Sequence, residues 1–455
     1  MDHRGKSFHI LSGVLDKSGN LRQDATSFGR HLLVGRLLSS VAGAMQFVSR
    51  FCFYSKCLFS RLADGLLNSI FSSTNCVGPA CRCMSTSTPL LAVFFHQSQA
   101  QCNSTNCVGP ACRCMSTSTP GNLSPANTPQ LVFLSFDGAV TTTNYDNYTY
   151  LLNNRMNPNG CPIGMTFFIY QEYNDFTLTH SLYHKRQEIA THSMSHRTPQ
   201  ELWAAKSANE WVDEIGGMKD ALAKFANIPK APIRGSRAPF LQTSGDQTFS
   251  AMKTLNMFYD SSLPTTDFVD PPVWPYTLDQ GFQHDCLIPP CPSNKFPGIW
   301  TVPVITLEND GTRCNTVEAC PQPKTLEETY QFLKRNFERH YFSSKAPFGV
   351  YLNNNGWFQS ANFRLEGYKK FLDYLSSKDD VYIVPLGRGL DWMKDPKPLS
   401  QVANFFNCPP LTQTSCQPVS CFYDGEASEI GPRIMKSCVP CPDVYPWTGN
   451  PLGIA

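Results

Sequence analysis

The sequence predicts an α/β fold in which a parallel sheet closes into a barrel. Between residues 130 and 396, short apolar segments alternate with segments of helical periodicity, which is the pattern of parallel strands joined by helices. Polar and charged residues follow several of the apolar segments, and a barrel gathers the carboxyl ends of its strands at one face. We therefore expect an α/β domain over residues 130–396 with its functional site at that face.

The first half of the predicted domain supplies four strand ends. Apolar segments at 130–137, 165–170 and 188–193 predict strands, with a short helix at 178–186, and residues 232–239 supply the next strand end. Apolar residues from Leu202 to Leu222 recur close to the helical period. We expect one long helix that Pro199 opens and Pro229 stops, with Trp203 and Trp211 in the core rather than serving as sugar platforms.

The second half continues the alternation of strands and helices. Residues 246–256 predict a helix, and strands follow at 257–261 and, after a proline-rich excursion, at 299–305. Thr325 and Glu328 form a capping-box pattern at the head of a helix that runs to about residue 342. Strands at 348–352 and 381–386 flank a last helix at 363–376.

The end of the third strand carries two histidines, His192 and His196, four residues apart. Two neutral imidazoles at this spacing can bind one divalent metal ion, although the same pair also occurs on solvated helix faces. The first strand delivers Asp137 at its carboxyl end, and Arg237 follows a later strand. The guanidinium could orient that carboxylate, or the two could form an ordinary buried ion pair.

The order of these motifs carries more information than any one of them. A strand ending in Asp137, then THSMSH at 191–196, then RAPF at 237–240 resembles the polysaccharide deacetylase (NodB-homology) family, and most of all its animal chitin deacetylase-like members. The resemblance covers residues 102–396 and implies a distorted barrel of about seven strands. It also implies metal-dependent hydrolysis of the acetyl amide of chitin or a related N-acetylglucosamine polysaccharide.

The resemblance assigns a role to each motif residue. It implies that His192 and His196 hold a divalent metal ion, with zinc favoured, that Asp137 is the general base and that Arg237 orients Asp137. A bound metal can activate water and polarise the carbonyl. In the family an additional carboxylate binds the metal, and a His near the end of the domain protonates the leaving amine.

Two positions depart from the family pattern. Gly138 stands where the metal-binding carboxylate is expected, and Asn354, with Asn353 as the alternative, stands where the acid is expected. Loss of a general acid removes about 10²- to 10⁴-fold of rate, and an Asn cannot deliver a proton. We therefore expect impaired catalysis and a metal that is weakly held or absent, unless Asp260, Asp310 or a water completes the metal shell.

Two other classes of function compete with a slow deacetylase. The first is a catalytically inactive protein that keeps the groove and binds chitin in an extracellular matrix such as a cuticle. Gly138 and Asn354 favour this hypothesis over an efficient enzyme. The second is a disulfide-rich structural protein without a glycan ligand, which fits the flanking segments but not the ordered motifs of the middle.

Composition indicates the compartment. Nineteen cysteines, 35 prolines and 29 glycines indicate an oxidising extracellular setting, so we expect a secreted, disulfide-bonded protein. Glycosylation sequons at Asn103, Asn122 and Asn147 agree with this. A formal charge of +2 without a basic run predicts no nucleic-acid partner, and the apolar run at 37–48 is too short to span a bilayer.

The flanking segments differ from the domain. Within residues 1–100, an apolar run at 90–95 followed by small residues favours a signal peptide cleaved near Gln101, and fourteen cysteines, an even number, follow that point. Residues 73–89 recur at 104–120, so a duplicated exon or an imperfect gene prediction is the alternative. Residues 101–129 predict a Cys-rich lead-in and 397–455 a Cys-rich tail, where Cys438 and Cys441 are expected to form disulfides rather than bind zinc.

Overall fold

The computed structural model describes residues 102–455, except residues 103–106, 108, 110–111, 354–355, 427 and 429. These residues belong to the second of two units into which the chain divides, which begins at residue 95. The predicted signal peptide and the first copy of the duplicated segment lie outside the described residues. No helix in the described part of the chain is both long enough and apolar enough to cross a membrane.

Thirteen strands occur in the described residues. In chain order they are β1 Gln130–Asp137, β2 Thr166–Ile169, β3 Glu188–Thr191, β4 Gly235–Ser236, β5 Tyr259–Asp260, β6 Tyr276–Thr277, β7 Trp300–Thr301, β8 Leu307–Asn309, β9 Thr312–Cys314, β10 Phe348–Asn353, β11 Val381–Ile383, β12 Val419–Tyr423 and β13 Arg433–Ser437. Two hairpins, β8–β9 and β12–β13, stand apart from the main sheet.

The main sheet is curled and almost entirely parallel. Its strand order is β10-β1-β2-β3-β4-β5-β7-β6, and β11 also pairs with β1. Seven neighbouring strands, from β10 to β7, are parallel, and β6 pairs antiparallel to β7 at the edge. The predicted α/β barrel of about seven strands is confirmed, as a curled sheet whose described ladders do not join β6 back to β10.

Helices connect the strands and cover the outside of the sheet. They are α1 Thr142–Leu152, α2 Phe176–His184, α3 Glu201–Ala204, α4 Ala208–Trp211, α5 Gly217–Phe225, α6 Asp246–Thr254, α7 Leu326–Tyr341, α8 Gly356–Gln359, α9 Asn362–Ser376, α10 Leu386–Lys394 and α11 Leu399–Phe405. The predicted cap of α7 is present, because the Thr325 hydroxyl accepts the backbone N–H of Glu328 at 3.1 Å.

The prediction of one long helix between residues 199 and 229 is wrong. That segment forms α3, α4, a π-helical turn at Val212–Gly216 and α5. Ser207 interrupts the helix because it forms a capping box with Glu210, whose carboxylate accepts the Ser207 N–H at 2.8 Å. The periodicity still placed the apolar face correctly, since Trp203 and Trp211 are buried in the core.

The strands on the far side of the sheet are shorter than predicted. The strands predicted at 257–261 and 299–305 are present only as the two-residue strands β5 and β7. Beyond β7, Pro303 has no N–H to donate to a ladder. Beyond β5, the Ser262 N–H bonds the side chain of Asp260 at 2.8 Å instead of a neighbouring strand.

Strand β1 separates two apolar cores. Val132 and Leu134 pack in a cluster with residues of α1, α2, α5, α7 and α9, whereas Leu131 and Phe133 pack in a second cluster with other strand residues and with residues of α10 and α11. Successive side chains of a strand point to opposite faces. Asp137 lies an even number of residues from Leu131 and Phe133, so it points to the face of the sheet that carries the second cluster, at the carboxyl end of β1.

Seven disulfides pair all fourteen cysteines after residue 100. They are Cys102–Cys112, Cys107–Cys114, Cys161–Cys408, Cys286–Cys291, Cys314–Cys320, Cys416–Cys438 and Cys421–Cys441. The disulfide prediction for Cys438 and Cys441 is confirmed, each with a partner outside the C-x-x-C. The Cys161–Cys408 bond and the backbone bond from Cys438 N–H to Phe225 O at 2.8 Å hold the tail on the barrel.

Candidate active site

The carboxyl ends of the parallel strands bring the predicted motif residues together. Asp137 ends β1, His192 follows β3, Arg237 follows β4 and Asp260 ends β5. The ring centroids of His192 and His196 lie 4.9 Å apart. Four predicted site residues, Asp137, His192, His196 and Arg237, thus form one cluster, and their catalytic and metal-binding roles stay predictions.

Arg237 is the buried centre of this cluster. Its Nη1 donates to Asp137 Oδ1 at 2.6 Å and to Ser135 Oγ at 2.9 Å. Its Nε and Nη2 donate to the carbonyl and hydroxyl oxygens of Ser261, both at 2.8 Å. Four acceptors on two strand ends therefore fix the guanidinium, which in turn fixes the Asp137 carboxylate.

Aromatic rings enclose the same guanidinium. Its Cζ lies 4.1 Å from the ring centroid of Phe168 and 5.0 Å from that of Tyr351, so both rings stabilise the cation. Burial raises the pKa of Asp137, and the charge and hydrogen bond of Arg237 oppose that rise. The pair keeps an oriented carboxylate in a water-poor site.

Both imidazoles are suited to bind a metal as neutral ligands. His192 Nδ1 lies 2.9 Å from the carbonyl oxygen of Arg237, so Nδ1 carries the proton and donates, and Nε2 keeps its lone pair. Burial lowers the pKa of His192 to about 3, and burial followed by the neighbouring His192 lowers the pKa of His196 to about 4. Neither ring is protonated at neutral pH.

The spacing of the two rings fits one metal ion. Two imidazoles bound through nitrogen at about 2.0–2.1 Å to a tetrahedral ion have centroids roughly 5 Å apart, close to the 4.9 Å found here. The bond from His192 to the Arg237 carbonyl is the outer contact that normally orients a metal-binding His. The pair therefore supplies two of the three protein ligands usual in a catalytic zinc site.

Among the described residues, no third side chain forms a group of ligand spacing with the two rings. Within the described residues, the only three-residue groups with ligand spacing consist of disulfide-bonded cysteines, in one case with His180, and such cysteines offer no thiolate. Both carboxylate oxygens of Asp260 accept hydrogen bonds from Ser262. Asp310 is exposed beyond β8. In the part of the chain that the structure describes, neither carboxylate forms a three-residue group of ligand spacing with the two imidazoles, and a third ligand stays a prediction.

The turn between the histidines has an unusual backbone. Ser193 and His196 have positive φ angles of 81° and 43°, each of which costs about 1–3 kcal/mol in a residue with a side chain. The buried Glu214 stabilises the turn, because its Oε2 accepts the N–H groups of Met194 and Ser195 at 3.0 and 2.8 Å. Its Oε1 accepts the Ser195 hydroxyl at 2.7 Å.

Two aromatic residues flank the second histidine. The ring centroid of Tyr170 lies 4.8 Å from that of His196, and the ring of Phe240 lies 5.0 Å from it. Phe240 has a positive φ of 56° and remains 37% exposed. His196 is thus held between a ring from the end of β2 and a ring from the RAPF motif, beside an opening to solvent.

The comparisons with known proteins agree with this geometry. No family model matches the chain. "Chitin deacetylase 8" of Bombyx mori is 38% identical over 384 residues, which cover 83% of this chain and 92% of the relative. The chain belongs to the polysaccharide deacetylase family. "Chitin deacetylase 1" of the same species is 30% identical over 350 residues, 73% of this chain and 64% of the relative.

Solved structures of the polysaccharide deacetylase family are more distant. A family 4 carbohydrate esterase from Streptomyces lividans in complex with acetate is 13% identical, with a TM-score of 0.31, and covers 56% of this chain and 92% of the esterase. BA3943, a CE4 family pseudoenzyme from Bacillus anthracis, is 12% identical, with a TM-score of 0.32, and covers 59% of this chain and 70% of the pseudoenzyme.

Of the two positions that depart from the deacetylase pattern, Gly138 lies within the described residues and Asn354 does not. Gly138 is buried with a φ of 125°, a conformation that favours glycine. Asn354 lies outside the described residues. Its neighbour Asn353 ends β10 directly beside Asp137, and the Asn353 N–H donates to Glu318 Oε1 at 2.7 Å.

Sequence reasoning missed several residues of this deacetylase-family site. Glu214 could have been found from the sequence, because it lies on the apolar face of its helical segment, three residues after Trp211. A carboxylate on that face is buried and therefore needs polar partners. Tyr170 ends a predicted strand and Phe240 ends the RAPF motif, but an aromatic residue next to a strand is more often part of the core. Glu318 lies in a loop far along the chain, and no local pattern indicated it.

A second concavity lies at the opposite end of this deacetylase-family barrel. It has a volume of about 560 Å³ and includes Gly164 before β2, Glu188 at the start of β3 and Arg234 before β4. Arg234 is paired with Asp391 at 2.5 Å. The candidate active-site residues do not line this cavity, so the chemistry discussed below belongs to the carboxyl-end face.

Proposed function

We propose that the protein is an extracellular deacetylase that hydrolyses the acetyl amides of chitin or a related N-acetylglucosamine polymer. One observation carries the proposal, namely the buried Asp137–Arg237 pair at 2.6 Å beside two neutral imidazoles. Both Bombyx mori relatives are named as chitin deacetylases. Seven disulfides support an extracellular location.

Asp137, Arg237 and the two histidines each have a separate role in the proposed amide hydrolysis. Asp137 removes a proton from the attacking water, and Arg237 holds the carboxylate in place and favours its ionised form. His192 and His196 would hold a divalent ion, which when bound polarises the acetyl carbonyl and acidifies a water. The Arg237 carbonyl keeps the His192 ring in the tautomer that metal binding requires.

The opening beside His196 suits a sugar polymer. Phe240 presents a partly exposed ring there, and Tyr170 backs His196 from the other side. Farther along the rim, Tyr173 is 63% exposed and lies 5.7 Å from the guanidinium of Arg433 in the tail. Aromatic faces next to charged donors favour the apolar faces and hydroxyl edges of pyranose rings.

The second candidate function is chitin binding without turnover. Gly138 favours it, because the site then lacks the family's third metal ligand, and the described residues supply no substitute. A two-ligand site binds its metal weakly, so the reaction would depend on added metal. The two candidates therefore differ in one measurable property, which is acetate release at saturating zinc.

The experiment measures acetate released from chitin oligomers by the purified full chain as zinc is increased. We expect release that rises with zinc and falls at least about 10²-fold in Asp137→Asn. Asp310→Asn is the matched control, since that carboxylate is exposed in the β8–β9 hairpin and is not among the described partners of Asp137 and Arg237. Oligomer binding without acetate release at any zinc concentration would favour the second candidate.

A further inference from the structure

The proposed hydrolysis needs a proton for the departing amine, and Asn354, with Asn353 as the alternative, stands where the family's acid is expected. Glu318 lies beside the end of β10, the strand that directly precedes Asn354. Its Oε1 accepts the backbone N–H of Asn353 at 2.7 Å. Asn353 is the residue of β10 in register with Asp137 of β1, and parallel neighbours lie about 4.8 Å apart.

The loop that carries Glu318 is firmly held. The Cys314–Cys320 disulfide closes it. The side-chain amide of Gln322 donates to the carbonyl oxygens of Glu318 at 3.0 Å and Cys320 at 2.6 Å. Trp357 Nε1–H in turn donates to Gln322 Oε1 at 2.6 Å. The position of the carboxyl group beside Asn353 is therefore a fixed feature of the fold.

The second oxygen of this carboxyl group is buried and is not engaged by the contacts that hold the loop. Glu318 Oε2 is buried and has no hydrogen-bond partner among the described residues, although the Thr316 hydroxyl lies close enough to act on its pKa. Burial raises the pKa of Glu318 to about 7, and the nearby Asp137 carboxylate adds to the rise. The cation near Glu318 is Arg364. A substantial fraction of Glu318 is therefore protonated at neutral pH.

We propose that Glu318 is the general acid of this site and protonates the departing amine of the substrate. The inference rests on the proposed deacetylase function. Asp137 takes one proton from water as the oxygen adds to the acetyl carbon. As the C–N bond breaks, the Glu318 carboxyl proton passes to the amine nitrogen, and the acetyl group leaves as acetic acid, which ionises. The proton on Asp137 goes to solvent, and Glu318 takes one back, so no further reactant is needed.

Two simpler roles for Glu318 make different predictions. A purely structural carboxyl group would only fix Asn353 at the end of β10, and its replacement would affect every reaction of the site equally. A third metal ligand would change zinc affinity when replaced. Replacing a general acid leaves zinc affinity unchanged and slows only those reactions whose leaving group needs a proton.

The test compares two acetyl substrates in Glu318→Gln, which keeps the acceptor for the Asn353 N–H. Hydrolysis of chitin oligomers should fall about 10²- to 10⁴-fold. Hydrolysis of 4-nitrophenyl acetate, whose phenolate leaves without a proton, should keep the wild-type rate. The decline of wild-type kcat above about pH 7 should disappear in the variant, because that limb reports loss of the acidic proton.

Two further variants complete the design. Glu318→Asp keeps a carboxylic acid one methylene shorter and should retain more amide hydrolysis than Glu318→Gln. Glu201→Gln, at an exposed position of α3, should leave both reactions unchanged. Zinc titration and thermal unfolding of each variant show whether metal binding and folding are retained.

The outcomes separate this inference from the proposed function. Chitin-oligomer hydrolysis that persists in Glu318→Gln would overturn the role of Glu318 and leave the deacetylase function standing. An equal loss on both substrates, or a loss of zinc affinity, would assign Glu318 to structure or to the metal instead. A wild-type protein that hydrolyses 4-nitrophenyl acetate but releases no acetate from chitin oligomers would overturn both proposals.

Discussion

Replacing Arg237 by Met should strongly destabilise the protein and make its stability depend on pH. The substitution keeps a long side chain between the rings of Phe168 and Tyr351 but removes a guanidinium that makes four short polar contacts. It leaves Asp137 as a buried carboxylate without its cation. Removing one partner of a buried pair costs about 3–5 kcal/mol, a large share of the roughly 5–15 kcal/mol that stabilises a domain.

The pH dependence follows from Asp137. Burial already raises its pKa, and Arg237 is what opposes that rise. Without Arg237 the folded-state pKa moves further above the unfolded value, so the folded variant holds a proton that the unfolded chain releases. The stability that protonated Asp137 contributes to the folded variant is then fully present below the unfolded pKa of about 3.9. That contribution is lost as pH rises through the raised folded-state pKa. We expect the deficit relative to wild type to be larger at pH 8 than at pH 5.

Urea unfolding of the oxidised protein at both pH values measures this deficit. Arg313→Met is the control, because Arg313 is exposed and surface changes usually stay within about 0.5 kcal/mol. Adding Asp137→Asn to Arg237→Met should recover part of the loss and remove its pH dependence. A deficit below about 1 kcal/mol, or one that is equal at the two pH values, would refute the interpretation of Arg237 as the counter-ion of a buried charge.

Three further predictions concern the surroundings of the site. Glu214→Gln should weaken zinc binding by about 10- to 100-fold in a chelator competition titration, because it loosens the turn between the metal-binding histidines; unchanged affinity would contradict this role. Gly138→Asp should lower stability by about 1–3 kcal/mol in thermal unfolding, because a φ of 125° strains any side-chain residue; a fully stable variant with tighter zinc binding would show that the backbone adapts. Relative to Glu318→Gln, the wild-type protein should lose stability between about pH 4.5 and pH 7, because the folded-state pKa of Glu318 is raised above its unfolded value; parallel stability curves would contradict it.

Gly138 changes the interpretation of the missing metal ligand. From the sequence, Gly138 is a position at which the family's metal-binding carboxylate is missing. The structure adds that its backbone has a positive φ and that its N–H donates to the Phe168 carbonyl at 2.8 Å. The turn after β1 is thus built around glycine, and restoring the carboxylate also requires a change of the backbone.

Local patterns predicted the elements that are governed by neighbouring residues. The alternation of apolar segments and helices indicated the parallel sheet, and the capping pattern at Thr325 located the start of α7. The same patterns overextended the helix across Ser207 and lengthened the strand across Pro303. In both cases a short-range competitor, a cap in the first and a missing N–H in the second, prevailed over the apolar periodicity.

By itself the sequence determined the fold class, the positions of Asp137, His192, His196 and Arg237 at strand ends, and the departure at Gly138. The fold class and the strand ends follow from periodicity and motif order, which depend on residues close together in the chain, and the departure at Gly138 follows from the family resemblance. Only the tertiary structure showed that Glu214 stabilises the histidine turn and that Glu318 lies beside Asn353 and Asp137. Those contacts join residues distant in sequence, and packing alone decides which carboxylates lose water and which partners they meet.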